Sequence, residues 1–265
     1  MGHLELKRVG LFLRDPSERY PVRELGDLLA KLGISLVLLN GNTQAVNELD
    51  LVIAMGGDGT VLRALDLFYR CPVLAINFGT VGFLTAGDRN DMDRIIRQVL
   101  AGDYIISERL VLQCEYPGGS VRSVNEVIVG TSYHLIHVDV FVDDTKIRTI
   151  RGDGVVVGTP TGSTALLLST GAPIVMPDVR CLVLDGINEY NFSSRALILT
   201  PDATIRLHLA QDSRDCDIRL ISDGRKVCEL EPGQHVSLTQ APYTAKLLYL
   251  DRNYFFRNLS SKLGW

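Results

Sequence analysis

The feature that most constrains this chain is a change of periodicity near residue 102. Before it, short apolar runs alternate with amphipathic segments. Apolar runs at 9–13, 35–39, 51–55 and 73–76 read as buried strands. Leu25, Leu28, Leu29 and Leu32 recur at the spacing of one helix face, in a segment that opens near Pro21 and stops at Gly33. Further helices are predicted over 61–69, with Val61, Leu65 and Phe68 on one face, and over 91–100. Strand-helix-strand alternation implies a parallel sheet with helices packed on it. After residue 102 helical periodicity nearly vanishes. Short β-rich runs recur at 110–114, 124–129, 138–142, 155–157, 182–184, 196–199, 205–209, 218–221 and 236–238. Turn signals such as Pro117-Gly118-Gly119, Asp143-Asp144 and Asp223-Gly224 separate them. That pattern predicts an antiparallel two-layer β domain. Residues 254–263 read as helical again.

The expected fold is therefore α/β plus β: a parallel α/β first domain over 1–104, a two-layer β domain over 105–240 and a terminal segment over 241–265. The 265 residues suffice for two cores. A hydrophobic share of 46% with net charge −4 excludes a disordered chain and gives no basic stripe for nucleic acid or a membrane surface. No apolar run reaches the ~18 residues of a membrane helix and the first residues lack a signal core, so a cytoplasmic protein is expected. Cys71, Cys114, Cys181, Cys216 and Cys228 are scattered, form no C-x-x-C pair, and read as reduced residues in or near the core. The five histidines show no metal-ligand spacing, so no fixed metal site is expected.

Three clusters carry chemistry. Gly56-Gly57-Asp58-Gly59-Thr60 joins a predicted strand to a predicted helix, at the sheet edge where ligands bind. Its glycines let backbone N–H groups approach a phosphate, and the helix start adds partial positive charge. It is neither a Walker loop nor G-x-G-x-x-G. An Asp here repels phosphate unless it holds Mg²⁺ or takes a proton from an attacking hydroxyl; the plain alternative is a helix N-cap. The second cluster, Asp153 to Ala165, runs from a strand into the hydroxyl-rich Thr159-Pro160-Thr161-Gly162-Ser163-Thr164, which suits phosphate or ribose and also suits a capped turn. The third is Asn125-Glu126, a polar pair inside an apolar predicted strand, costly if buried without partners.

Together with Asn77-Phe78-Gly79-Thr80-Val81-Gly82-Phe83-Leu84-Thr85, Arg151-Gly152-Asp153-Gly154 and the terminal Lys262-Leu263-Gly264-Trp265, these segments resemble the NAD kinase family, which phosphorylates NAD to NADP. The resemblance spans residues 56–265. It implies a Rossmann-like domain plus a β-sandwich, with the last segment returning to the first domain. It implies ATP as donor, Mg²⁺ carried with it, and a homodimer or homotetramer whose NAD site draws on two subunits. Asp58 matches the general base on the adenosine 2′-hydroxyl. Gly57, Gly59 and Thr60 match positions near the donor phosphates, and Asn77 and Phe83 positions bordering the nucleotide. Asn125 and Glu126 match residues that hold the acceptor; His134, Arg151 and Asp153 match positions supplied partly by the adjacent subunit. Thr161, Ser163, Thr164, Ala165 and Ser169 match the loop around the NAD base. The chain departs from the family at Leu166, where a Tyr is usual, at Ala172 in place of Gly, at Thr80 in place of Arg, and over 189–197. These departures leave the phosphate machinery intact and put the acceptor in question. A related kinase of another hydroxyl, or a silent nucleotide sensor, are the alternatives; an Asp beside phosphates gives a pure sensor nothing.

Overall fold

The structure, a computed structural model, describes residues 4–13, 19–39, 48–77, 82–132, 134–191, 194–213 and 217–264, with the side chains of 19–21 left aside. Phe78, Gly79, Thr80, Val81, Phe192, Ser193, Cys216 and Trp265, all singled out above, lie outside the described residues. The chain divides into two compact units, Met1–Glu108 with Ala245–Trp265, and Arg109–Thr244.

The first unit contains β1 (Arg8–Leu13), α1 (Arg19–Lys31), β2 (Ser35–Leu38), β3 (Leu51–Met55), α2 (Asp58–Leu67), β4 (Val73–Asn77), a two-residue β5 (Gly87–Asp88) and α3 (Met92–Leu100). Strand β6 (Ile105–Tyr116) carries the chain into the second unit. There follow β7 (Gly119–Ser123), β8 (Glu126–Gly130), β9 (Ile136–Val142), β10 (Thr145–Gly152), β11 (Gly154–Gly158), α4 (Leu166–Ser169), β12 (Leu182–Ile187), β13 (Leu197–Leu199), β14 (Ile205–Leu209), β15 (Ile218–Ser222) and β16 (Arg225–Leu230). The long β17 (His235–Tyr249) brings the chain back to the first unit, which closes with α5 (Tyr254–Leu263).

In the first unit β2, β1, β3, β4 and the end of β17 lie in that order, every neighbouring pair parallel. Strands β3 and β4 are buried at every residue, as a sheet covered on both faces requires. The chain moves outward from β1 to β2 and then crosses to β3 on the other side of β1. That reversal makes the carboxyl ends of β1 and β3 a switch point, the usual ligand crevice of such sheets. Helix α3 buries Met92, Ile95, Ile96 and Val99 on one stripe against this core.

The second unit is a β-sandwich. One sheet has the antiparallel order β13-β12-β11-β8-β15-β16. The other contains β10-β9-β14 and the start of β17, also antiparallel. Alternation does the sorting: in β14, Ile205, Leu207 and Leu209 face the core while Arg206 and His208 do not. Valines 127, 129, 155 and 157 meet Val138, Val140, Leu207 and Leu238 in one core. Three strands of this unit, β7, β10 and β16, have no counterpart in the expected pattern. β10 and β16 are polar hairpin partners whose exposed residues hide the period. The turns that make them, at Asp143-Asp144 and Asp223-Gly224, have positive φ at both central residues. Cys71, Cys114 and Cys181 are buried free thiols, and burial pushes Cys71 and Cys114 up to about 12, away from reactivity. No helix among the described residues is long and apolar enough to cross a membrane.

The α5 helix is fastened by its first residue. The Tyr254 ring stacks on Tyr249 with centroids 3.6 Å apart, and its hydroxyl lies 3.1 Å from Ser107 Oγ. Tyr254→Phe keeps the stacking and loses one hydrogen bond, a cost of about 1 kcal/mol. Tyr254→Ala also loses the ring pair and is the less stable of the two. Denaturant midpoints falling in the order parent, Phe, Ala check this.

Candidate active site

In the first unit, the glycine-rich segment makes the turn from β3 into α2. The N-cap is Gly57, and the helix starts at Asp58, three residues earlier than the apolar periodicity predicts. Asp58 is therefore no N-cap. Its carboxylate reaches away from its own helix: Oδ2 accepts the Phe83 N–H at 2.8 Å and Oδ1 the Leu84 N–H at 3.1 Å. The chain passes so close that a Cβ on Gly82 would lie 1.8 Å from Asp58 Oδ1. Only glycine leaves room for this geometry. The loop is held in turn by α5, whose Asn258 Nδ2 donates to the Phe83 carbonyl at 2.8 Å. Thr60 is buried against the turn, Gly59 is exposed, Asn77 is buried at the carboxyl end of β4, and Phe83 is half-buried. A half-buried carboxylate thus sits at the switch point, on the first turn of a helix where Thr60 and Val61 donate to the Gly57 carbonyl and the N–H groups before them have no intrahelical acceptor.

In the second unit, Asn125 and Glu126 do not lie inside one continuous strand. β7 ends at Ser123, β8 begins at Glu126, and residues 124–125 form a bend between them. Asp223, from the β15–β16 turn, sets that bend. Its carboxylate accepts hydrogen bonds from Ser123 Oγ, the Val124 N–H at 2.9 Å, the Asn125 N–H at 2.8 Å and the Glu126 N–H at 3.3 Å. The Thr159 hydroxyl donates to the Val124 carbonyl at 2.5 Å, and the Thr159 N–H donates to the Asn125 carbonyl at 2.9 Å. A Cβ on Gly162 would lie 2.2 Å from the Asn125 carbonyl oxygen, so the Thr-Pro-Thr-Gly turn packs directly on the Asn-Glu bend.

Among the described residues, two buried polar atoms of this cluster accept no hydrogen bond, Asn125 Oδ1 and Glu126 Oε2. Burial pushes the Glu126 carboxyl up to about 7, neighbouring Asp223 adds to the rise, and the Leu166 backbone N–H opposes it. Asp223 is raised by its own burial, against the four hydrogen bonds it accepts. Unpaired buried acceptors are costly, and a ligand that donates to them removes the cost.

The hydroxyl loop is less uniform than its sequence suggests. Ser163 is fully buried; its hydroxyl donates to the Pro160 carbonyl at 2.7 Å, has the Val175 carbonyl at 3.2 Å and accepts the Val175 N–H, so it faces the fold and not a ligand. Thr161 is buried, and its Oγ1 accepts from Arg109 Nη1 at 3.2 Å. Thr164 and Ala165 are half-buried and Ser169 is exposed. Leu166, in place of the family Tyr, packs on the apolar cluster of Val156, Leu167, Ala172, Cys181 and Val183 while its N–H serves Glu126.

His134, Arg151 and Asp153 are not gathered with Asn125 and Glu126. In the β8–β11 register Gly158 faces Glu126, and Asp153 stands just before β11, five residues back from Gly158. At the usual rise that is roughly 17 Å away. His134 and Arg151 are exposed, and Asp153 Oδ2 accepts from Asn188 Nδ2 at 2.7 Å. Among the described residues no three His, Cys, Asp or Glu side chains converge as a metal cluster.

Sequence reasoning missed Gly82's role, Asn258, Arg109 and Asp223. Only Asp223 left a signal, as half of a turn dipeptide.

A parallel sheet with a glycine turn and an oriented carboxylate at its switch point, joined in one chain to a β-sandwich with unpaired buried acceptors, defines a nucleotide-dependent phosphotransferase. Comparison with known proteins narrows the class. Residues 30–104 match the ATP-NAD kinase N-terminal domain and residues 124–250 the ATP-NAD kinase C-terminal domain. The NAD kinase of Symbiobacterium thermophilum is 36% identical over 229 residues, 83% of this chain and 80% of that protein. The NAD kinase of Syntrophotalea carbinolica is 31% identical over 98% of this chain and 99% of its own length. Among solved structures, a yeast NADH kinase complexed with NADH superposes with a TM-score of 0.87, at 24% identity, over 98% of this chain and 88% of that one. An Archaeoglobus fulgidus NAD kinase in complex with ATP gives 0.81, at 24% identity, over 97% and 98%. The chain belongs to the NAD kinase family.

The Glu126 shift has a consequence for stability. Its folded value, about 7, lies above the unfolded value of 4.5. Between those values the folded chain binds the extra proton, so stability falls as pH rises from about 4.5 to 7 and then levels. Glu126→Gln keeps an acceptor for the Leu166 N–H and removes the titration. Its melting temperature loses that part of the pH slope and exceeds the parent's above pH 7; parallel slopes for the two proteins count against the assignment.

Proposed function

We propose that the chain transfers the γ-phosphate of ATP to the 2′-hydroxyl of the adenosine ribose of NAD, forming NADP, with Asp58 as the general base. The observation that carries this reading is the aim of Asp58. Two backbone N–H groups fix its carboxylate, so it arrives at the hydroxyl already oriented. Each carboxylate oxygen keeps further lone pairs for a substrate proton. Asp58 takes the proton as the 2′-oxygen attacks the γ-phosphorus, and the bond to the bridging oxygen breaks to release ADP. Catalysis is otherwise positioning and charge neutralisation. Gly57, Gly59 and Thr60 border the donor phosphates, where the start of α2 favours negative charge. The divalent ion, Mg²⁺, enters on the ATP phosphates as part of the substrate.

Asn125 and Glu126 hold the acceptor. Their unpaired Oδ1 and Oε2 suit the hydroxyls of a ribose or an amino group, and supplying those donors offsets the cost of burying them. The ~17 Å between Glu126 and Asp153 within one chain supports a homo-oligomer in which Arg151 and Asp153 serve the acceptor bound by a neighbouring subunit.

The reaction is read with ATP, Mg²⁺ and NAD, the product being detected by an NADP-specific dehydrogenase. Asp58→Asn keeps one of the two backbone hydrogen bonds, at its amide oxygen, leaves the chain folded, and lowers turnover by roughly 10²–10⁴-fold. Parental turnover in the Asn variant removes Asp58 from the role of base. Absence of NADP from the parent at saturating substrates removes the activity itself.

A further inference from the structure

On the outer face of the six-stranded sheet, strand β12 is apolar but for one residue. Along β12, Val183 and Ile187 pack on that face with Val156, Leu167, Ala172 and Ala196. Asp185 lies between Val183 and Ile187 on the same face, because alternate residues of a strand share a side, and it faces Val156 of β11 across the sheet. It is only 7% exposed. One carboxylate oxygen accepts the Gly186 N–H at 2.9 Å. The other accepts no hydrogen bond among the described residues, yet it is not sealed from solvent. The open space it reaches is a cavity of about 350 Å³ that Asp185 helps to line.

The other charged residues of that cavity are accounted for. Glu189 is paired with Arg148 Nη2 at 3.4 Å, and Arg148 Nη1 donates to Ser194 Oγ. Arg195 is exposed and its guanidinium donates to the Ser194 carbonyl at 2.7 Å. Asp185 is the buried carboxylate left without a cation. Burying a charge this way is costly unless something donates to it. The cavity also borders two acceptor positions implied by the family resemblance. Ser169 lines it directly, at the end of the short helix whose first N–H bonds Glu126. Asn188 lines it from the other side and holds Asp153.

We propose that Asp185 determines acceptor specificity: the cavity beside Ser169 receives an amino group of the dinucleotide, and Asp185 accepts its hydrogen bond. This rests on the reading of the chain as a kinase of NAD. A dinucleotide of that kind has two such groups, the exocyclic amine of adenine and the carboxamide of nicotinamide. A carboxylate accepts from either and rejects an oxygen in the same place, since two acceptors then face each other.

The test compares NAD, nicotinamide hypoxanthine dinucleotide and nicotinic acid adenine dinucleotide as acceptors. Each analogue replaces one amino group by oxygen. Binding is measured by calorimetry and phosphorylation by kcat/KM, on the parent, Asp185→Ala and Asp185→Asn. The parent binds one analogue more weakly than NAD by about 10- to 100-fold, the worth of a hydrogen bond to a charged group, and the analogue rejected identifies which end enters the cavity. Asp185→Ala binds NAD and that analogue alike, with the loss from NAD appearing in KM more than in kcat. Asp185→Asn, which keeps a carbonyl acceptor and the strand's shape, retains part of the discrimination. Equal binding of all three acceptors by the parent, discrimination unchanged in both variants, or no dinucleotide binding overturns the proposal. Discriminating binding without phosphorylation leaves the Asp185 assignment standing and overturns the proposed reaction instead.

Discussion

A carboxylate acts on one chosen hydroxyl only if something fixes its direction. At Asp58 that constraint comes from backbone, with the N–H groups of Phe83 and Leu84 meeting its two oxygens. Much of the first unit is organised around this contact. Gly82 has no Cβ because the carboxylate occupies the space. Asn258 of α5 holds the Phe83 carbonyl, and the Tyr249–Tyr254 stack holds α5. A helix at the far end of the chain thereby steadies a loop at residues 82–84, which in turn aims a residue at position 58.

The second unit uses the same device for another purpose. Asp223 gathers three consecutive N–H groups and a serine hydroxyl, and the Asn125-Glu126 bend is the result. Satisfying the backbone there leaves the side chains of Asn125 and Glu126 available for a ligand. The cost is a second carboxylate close to Glu126, and it contributes to holding that residue near 7. Stability is exchanged for a site ready to receive hydrogen-bond donors. Leu166 fits the same economy: its backbone serves Glu126, and its side chain joins the apolar cluster.

How much of this was legible in the sequence depended on whether the signal was local. The parallel and antiparallel halves were readable because periodicity is a property of neighbouring residues. The glycine turn and the hydroxyl loop were readable as compositions, and their order along the chain carried the family. Start points were less so: α2 begins at Asp58 because Gly57 caps it, which no apolar spacing at Val61 reveals. β10 and β16 were missed since exposed polar residues break the alternation. Contacts between distant segments were out of reach altogether. Asp223 read as a turn and proved to organise residues about a hundred positions away. Asp185 lies one residue beyond the predicted 182–184 run, and only the structure sets it within the apolar face of β12. The hydroxyls of Ser163 and Thr164 looked alike and both donate to a carbonyl three residues back, yet Ser163 is fully buried and Thr164 only half-buried.

The central claim is that backbone contact from the 82–84 loop aims Asp58, and Gly82→Ala tests it most directly. The added methyl meets the end of a movable side chain, so the carboxylate gives way while the fold persists. The account predicts a melting temperature near the parent's, with turnover reduced by about 100-fold or more. Parental turnover in a folded Gly82→Ala protein would contradict it.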